Sequence, residues 1–219
     1  MNIAVIGANR GIGLEFCRQY SKNNTVFAFC REASDDLNSV GVEQVIEGCE
    51  VTSLDSLTAA ASKLNTDKLD LLIHVSGVLS SQSLEDFDVD EIKKQFEVNS
   101  IGPILSYKAF ANFLKPGSKF SVLSSRMGSV ADNSSGGQYG YRMSKAAINM
   151  AAVSLANDLK ESGVAVIILH PGYVRTDMTG GNGMIDTDES VSGMIKILAE
   201  KNINETGTFW HTNGEQLPW

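Results

Sequence analysis

The sequence predicts an α/β protein, a doubly wound parallel sheet of about seven strands with helices on both faces. Three observations carry that expectation. Short apolar runs alternate with longer stretches of helical period along the whole chain. The first run stops at a glycine cluster that opens a helical pattern, as in a strand–turn–helix unit. At 219 residues the chain is long enough for one well-buried core and short for two, so residues 1–219 read as a single domain.

Residues 2–6 form the first strand, which ends at Gly7, Ala8, Asn9, Arg10, Gly11, Ile12 and Gly13. Leu14, Cys17 and Tyr20 then recur at helical spacing. Such a turn lets the backbone approach a pyrophosphate, and the N–H groups and dipole at the helix start favour negative charge there. This is the context of a Rossmann-type dinucleotide fingerprint. Residues 25–29 are the second strand, and Cys30 and Arg31 stand where such a site meets the adenosine ribose. An acidic residue there would bond the 2′-hydroxyl, whereas Arg accommodates a 2′-phosphate. Arg31, with Arg10 in the turn, favours NADP; the alternative is a solvated Arg31 with Glu32 or Asp35 capping the ribose.

Residues 43–47 are a third strand, followed by Glu50, Val51 and Thr52 and a helix from about 54 to 64. The fourth strand, 69–74, runs into Val75, Ser76 and Gly77, a polar turn at the edge of the sheet where ligands bind. A long helical pattern from about 90 to 114 carries Phe96, Val98, Ile101, Leu105 and Phe110 on its apolar side, with Asn99 as a polar interruption. Residues 119–123 are the fifth strand, ending at Ser124 and Ser125. A loop rich in Gly, Ser, Asn and Asp, 128–137, leads to a helix from about 138 to 160. Residues 164–169 form a sixth strand, with His170, Pro171, Gly172, Tyr173, Val174, Arg175 and Thr176 coming off its end. A helix over about 188–200 and a strand over 207–211 complete the pattern.

Within the 138–160 helix, Tyr141 and Lys145 lie four residues apart and so share a face. A free phenol has a pKa of roughly 10, but a nearby ammonium favours phenolate and brings the group toward useful acid–base strength. The spacing also arises by accident on surface helices, so the rest of the chain decides whether the pair is a site.

The bulk composition, 42% hydrophobic and 20% charged, is that of a globular protein. A net charge of −8 argues against a nucleic-acid surface, which needs clustered Lys and Arg. Cys17, Cys30 and Cys49 are odd in number and lack metal-ligand spacing, so they read as core fillers in a reducing compartment, with no metal site. The N-terminus has no basic n-region, and no apolar run approaches the roughly 18 residues of a membrane span. A cytoplasmic location and no membrane association are the expectation.

Together these residues resemble the short-chain dehydrogenase/reductase family over essentially the whole chain. The glycine turn is similar to the family's T-G-x-x-x-G-x-G, Tyr141 and Lys145 to its Y-x-x-x-K, Ser124-Ser125 to its strand-end serine, Asn99 to its helix asparagine and Pro171-Gly172 to its P-G turn. Stretches 9–13, 30–31, 133–137 and 141–145 most resemble the sniffer-like and C-factor-like carbonyl reductases. The resemblance implies hydride transfer between NADPH and a small aldehyde or ketone, or the reverse from an alcohol. It implies Tyr141 as proton donor, Lys145 lowering the Tyr141 pKa and holding the nicotinamide ribose, Ser125 bonding the carbonyl oxygen, and Asn99 positioning a water that links Lys145 to solvent. Gly7, Asn9, Arg10, Gly11, Ile12, Gly13, Arg31, Glu50, Val51 and Gly77 are implied to hold the cofactor, with Pro171, Gly172, Val174 and Thr176 framing the nicotinamide.

Ser124 is the rival to Ser125, which lies sixteen residues before Tyr141, slightly more than is usual. Ile6 replaces the usual threonine, Glu50 the usual Asp, and His74-Val75-Ser76-Gly77 stands where the family has N-N-A-G. His74 is expected to be a hydrogen-bonded core histidine, or else a substrate-side or proton-carrying group. A cofactor-binding regulatory or signalling protein without turnover is the alternative from another class. Sugar-nucleotide epimerases are disfavoured by the short chain and the glycine spacing. The segment 176–187, with Met178 and Met184, is expected to form an open, adaptable substrate cover. A homodimer or homotetramer through the helices near 90–114 and 138–160 is set against a monomer.

Overall fold

The computed structural model describes residues 1–219. Seven strands are present: β1 (Asn2–Ile6), β2 (Thr25–Phe29), β3 (Gln44–Ile46), β4 (Leu69–His74), β5 (Leu114–Leu123), β6 (Ala165–His170) and β7 (Thr208–His211). They form one sheet in the order β3-β2-β1-β4-β5-β6-β7, every neighbouring pair parallel. The order reverses between β1 and β4, and that reversal opens a crevice at the carboxyl ends of the two strands.

The helices are α1 (Gly11–Tyr20), α2 (Asp35–Asn38), α3 (Leu54–Ala61), α4 (Val89–Phe96), α5 (Gly102–Phe110), α6 (Tyr139–Leu159) and α7 (Thr187–Glu200). Strand residues alternate between two cores because successive side chains point to opposite faces. Ala4 and Ile6 join Phe29, Phe110, Phe120, Ile148 and Ala152 on one face, where α3, α5 and α6 pack. Ile3 and Val5 join Phe16, Ala28, Val191 and Met194 on the other, where α1 and α7 pack. Ala152 and Ala156 keep α6 close to the sheet, and that closeness sets how far Tyr141 and Lys145 reach over it.

Cys17 and Cys30 lie in the second core and Cys49 in the first, all free and buried. Burial pushes their thiols up, to about 12, 11 and 12 respectively, so they pack as small apolar groups.

Two boundaries differ from the sequence-based expectation. The long pattern over 90–114 is interrupted: a π-helical segment, Glu97–Ile101, separates α4 from α5, and a short 3-10 turn follows, Ala111–Phe113. Its last residue, Leu114, belongs to β5, which starts five residues earlier than expected and pairs irregularly with β4 before Lys119. Apolar periodicity does not distinguish α from π winding, because one extra residue per turn only rotates the apolar stripe. The short α2 also escapes periodicity; it is marked instead by its Ser34 cap, whose hydroxyl accepts from Leu37 N–H. No helix is long and apolar enough to cross a membrane.

Candidate active site

The crevice between β1 and β4 is a cleft of about 720 Å³. Its phosphate-sized end is the glycine turn. Gly7 and Gly11 have φ of 89° and 53°, conformations that side chains resist. A Cβ at Gly7 would come 2.6 Å from Ser76 Oγ, and one at Gly13 would collide with the Gly7 carbonyl oxygen. The start of α1 has no side-chain cap, so its first N–H groups face the cleft unpaired. Uncapped donors beside backbone with no side chain to fill the space suit an anionic pyrophosphate. Gly13→Ala is expected to lower stability by about 1–3 kcal/mol, from the overpacking alone, and to weaken NADPH binding. A urea midpoint and a nucleotide titration read the two effects.

At the other end α6 delivers Tyr141 and Lys145, and β5 delivers Ser125. All three are buried. Ser125 lies beside the Tyr141 phenol, close enough to favour its ionised form, and its hydroxyl accepts from Met127 N–H at 3.2 Å, whereas Ser124 turns away and donates to Asn149 Oδ1 at 2.5 Å. Geometry therefore separates the two serines that the sequence leaves as rivals. Lys145 Nζ donates to the Leu123 carbonyl at 2.9 Å and sits 5.6 Å from the Tyr141 ring centroid. Burial dominates both ionisations: it pushes the phenol up to about 12, against the influence of Ser125, and the amine down to about 8. Burial thus outweighs the lowering expected from Lys145, whose ammonium donates to a backbone carbonyl.

Asn99 lies in the π-helical segment, a kind of bulge often found at functional sites. Its Oδ1 accepts from Val78 N–H at 2.8 Å, and its Nδ2 donates to Val78 O at 2.9 Å and Ser144 Oγ at 3.0 Å. Both amide donors are thus spent on holding the chain after β4 against α6. Gly77 fits beside it: a Cβ there would lie 3.3 Å from Asn99 Oδ1 and 3.7 Å from Lys145 Nζ. His74 is fully buried, with Nδ1 3.0 Å from Ser106 Oγ. Ser106 already donates its proton to Gly102 O, so His74 must donate from Nδ1, which carries the proton. Burial, helped by the Lys145 charge, holds its pKa down at about 3.

Around the rim, Arg31 is 78% exposed and lies 3.8 Å from Glu50, whose other oxygen accepts from Thr52. Val51 supplies a buried apolar wall. Arg10 pairs with Asp177 across the cleft at 3.0 Å, and Asn9, which lines the cleft, braces the turn through its carboxamide oxygen, which accepts from Ser34 N–H. Pro171 and Thr176 line the cleft, while Val174 bridges to Ile185 and a Cβ at Gly172 would meet the Ile185 side chain at 2.9 Å. Gly172 and Val174 therefore shape the segment from behind. Sequence reasoning missed Ser76, Asp177 and Ser144 because their roles come from long-range approach, with no local spacing to announce it. A second hollow, about 780 Å³, opens at the opposite edge of the sheet near Met1, Asp70 and Lys119 and gathers no comparable set of donors and proton carriers.

This arrangement has counterparts. Residues 1–184 match the family model described as short chain dehydrogenase. The 1-hydroxy-2-glutathionyl-2-methyl-3-butene dehydrogenase of Rhodococcus sp. (strain AD45) is 37% identical over 224 residues, covering 99% of each chain. The NADPH-bound carbonyl reductase from chicken fatty liver superposes with a TM-score of 0.91 at 30% identity, over 100% of this chain and 98% of that one. The carbonyl reductase Sniffer of D. melanogaster gives 0.90 at 25%, over 100% and 99%. An uncapped glycine turn at one end of the crevice, a buried serine, tyrosine and lysine at the other, and matches spanning the full sheet place this chain in the short-chain dehydrogenase family.

Proposed function

We propose that this chain is an NADPH-dependent reductase of a small aldehyde or ketone, working reversibly on the corresponding alcohol. The observation that carries the reading is the buried cluster of Ser125, Tyr141 and, one helical turn on, Lys145, at one end of a cleft whose other end suits a pyrophosphate. When bound, the nicotinamide supplies the hydride that adds to the carbonyl carbon. Ser125 bonds the carbonyl oxygen and stabilises the charge that develops there. Tyr141, protonated at neutral pH, gives its proton to that oxygen, so that the product is a neutral alcohol. Lys145, whose amine now donates to Leu123 O, would place positive charge at the site and hold the nicotinamide ribose hydroxyls. Asn99 fixes the Val78 backbone and, through Ser144, the α6 turn between Tyr141 and Lys145.

The residues that fit the nucleotide also set its expected preference. Arg31 is exposed at the end of β2 with only a long pairing to Glu50, leaving its guanidinium available for a 2′-phosphate. Titrating NADPH against NADH and then running a carbonyl panel with the preferred nucleotide tests the reading; no turnover of any reactive carbonyl despite tight NADPH binding would sink it. Arg31→Ala is expected to raise the KM for NADPH about 10- to 100-fold, the worth of a charged hydrogen bond, with little change for NADH. Equal losses with both nucleotides would remove Arg31 from phosphate recognition. The Rhodococcus relative is named for a glutathionyl alcohol and the chicken protein for carbonyl reduction, so the panel should include both simple carbonyls and thioether-bearing alcohols.

A further inference from the structure

The helix that carries Tyr141 begins abnormally. Gln138, the residue before α6, has φ 54° and ψ 41°, left-handed backbone in a residue with a side chain, and it supplies no side-chain cap. The cap comes instead from the segment 78–88. Gln82, 5% exposed, accepts from Gly140 N–H through Oε1 at 3.2 Å, and its backbone carbonyl accepts from Gln138 N–H at 2.9 Å. The same amide donates through Nε2 to the Asp88 carbonyl at 2.7 Å, and the Asp88 side chain caps α4. Gln138 returns a bond from Nε2 to Ser81 Oγ at 2.8 Å. Gly140 permits this approach: a Cβ there would lie 2.6 Å from Gln95 Nε2 and 3.0 Å from Gln82 Oε1.

We propose that Gln82 is a positioning residue for Tyr141, a buried latch that makes the placement of the proton donor depend on the conformation of segment 78–88. Two independent features point the same way. One is the strained backbone at Gln138, which persists only while its neighbours hold it. The other is a cap delivered to the first turn of α6 from a different part of the chain, one residue from Tyr141. The segment starts at Val78, which lines the cleft and is held by Asn99, and ends at the α4 cap, so it joins the nicotinamide end of the cleft to the proton donor. Occupancy of the cleft that moves Val78 is thereby transmitted to Tyr141 through Gln82. The inference rests on the hydride-transfer reading for its catalytic consequence, but the latch itself is a property of the protein without nucleotide.

The test uses the full chain with Gln82→Ala and Gln82→Glu. The glutamate keeps an acceptor for Gly140 N–H and loses only the donor to Asp88. In the nucleotide-free protein, amide exchange at Gly140 and Tyr141 should speed up by about tenfold or more in Gln82→Ala and stay near wild type in Gln82→Glu. With NADPH and a carbonyl, Gln82→Ala should lower kcat by about 10- to 100-fold, the cost of a misplaced catalytic group, with NADPH affinity held within about twofold. Gln82→Glu should recover most of kcat, since it restores the acceptor for Gly140 N–H. If Gln82→Ala is unfolded at the assay temperature, Gln82→Met keeps the volume while removing both amide bonds. Unchanged exchange and kcat in the Ala or Met variant, or no recovery of kcat in Gln82→Glu, would overturn the latch. Exchange that responds in a protein that reduces no carbonyl would leave the latch standing and the hydride-transfer reading refuted.

Discussion

Tyr141→Phe is expected to lower kcat for carbonyl reduction by about a thousandfold, within the range that a positioned proton donor contributes, while NADPH affinity stays within about twofold. The ring is buried against α6 and its neighbours, so phenylalanine keeps the shape and removes only the hydroxyl. Loss of one hydroxyl costs about 1 kcal/mol of stability at most, too little to unfold the protein. Because burial holds the phenol up at about 12, it is protonated throughout the neutral range. Reduction needs that proton and should be nearly flat with pH. Alcohol oxidation needs phenolate, so its kcat/KM should climb from about pH 7 to about pH 9. A Phe variant that still turns over at the wild-type rate, or an oxidation profile that falls with pH, would remove Tyr141 from the chemistry.

The parts of this site that sequence made visible are those written in local spacing. Tyr141 and Lys145 share a helix face, so their proximity follows from four residues of separation, and the glycine turn is confined to seven consecutive positions. The parallel sheet covered on both faces followed from alternating elements, whereas its strand order and the crevice between β1 and β4 became visible only in the structure. Gln82 was invisible by the same logic, since it reaches Gly140 across 58 positions and nothing near it in the chain marks a cap. Asn99 stood out as a polar residue in an apolar helix, but the π winding that turns its amide to Val78 leaves no trace in the period. The choice of Ser125 over Ser124 rested on the family resemblance alone, because spacing does not separate them. Adjacent residues at the end of a strand point in opposite directions, and only the position of Asn149 and Tyr141 shows which direction is the site. Desolvation is the remaining blind spot: spacing suggested that Lys145 would draw Tyr141 down, and depth of burial reverses the outcome.

That same burial makes Lys145→Met the second large expectation, with activity and stability moving separately. Turnover should fall by about 10²- to 10³-fold, the usual loss when a preorganised charge is taken from a reacting centre. The effect on stability depends on pH. In the folded protein the amine is held at about 8, from an ordinary value of 10.5. Below about pH 8 both folded and unfolded chains carry the proton, and the fold bears the cost of a buried ammonium. Between about 8 and 10.5 the unfolded chain binds more protons, so wild-type stability rises with pH. The gain is about 3 kcal/mol in all, and it is complete only above the unfolded value. Tyr141 acts with the opposite sign higher up, since a phenol raised to about 12 loses its contribution as pH rises from 10 through 12. Methionine fills a similar volume without charge but leaves Leu123 O unpaired, at a cost of about 1–3 kcal/mol. Near neutrality the variant should therefore be close to wild type in urea, because relief of the buried charge offsets the lost hydrogen bond. As pH rises toward about 10 the wild type should pull ahead while the variant lacks that component of the rise. Parallel urea midpoints for the two proteins across this range would show that burial does not lower the Lys145 ammonium in the folded protein.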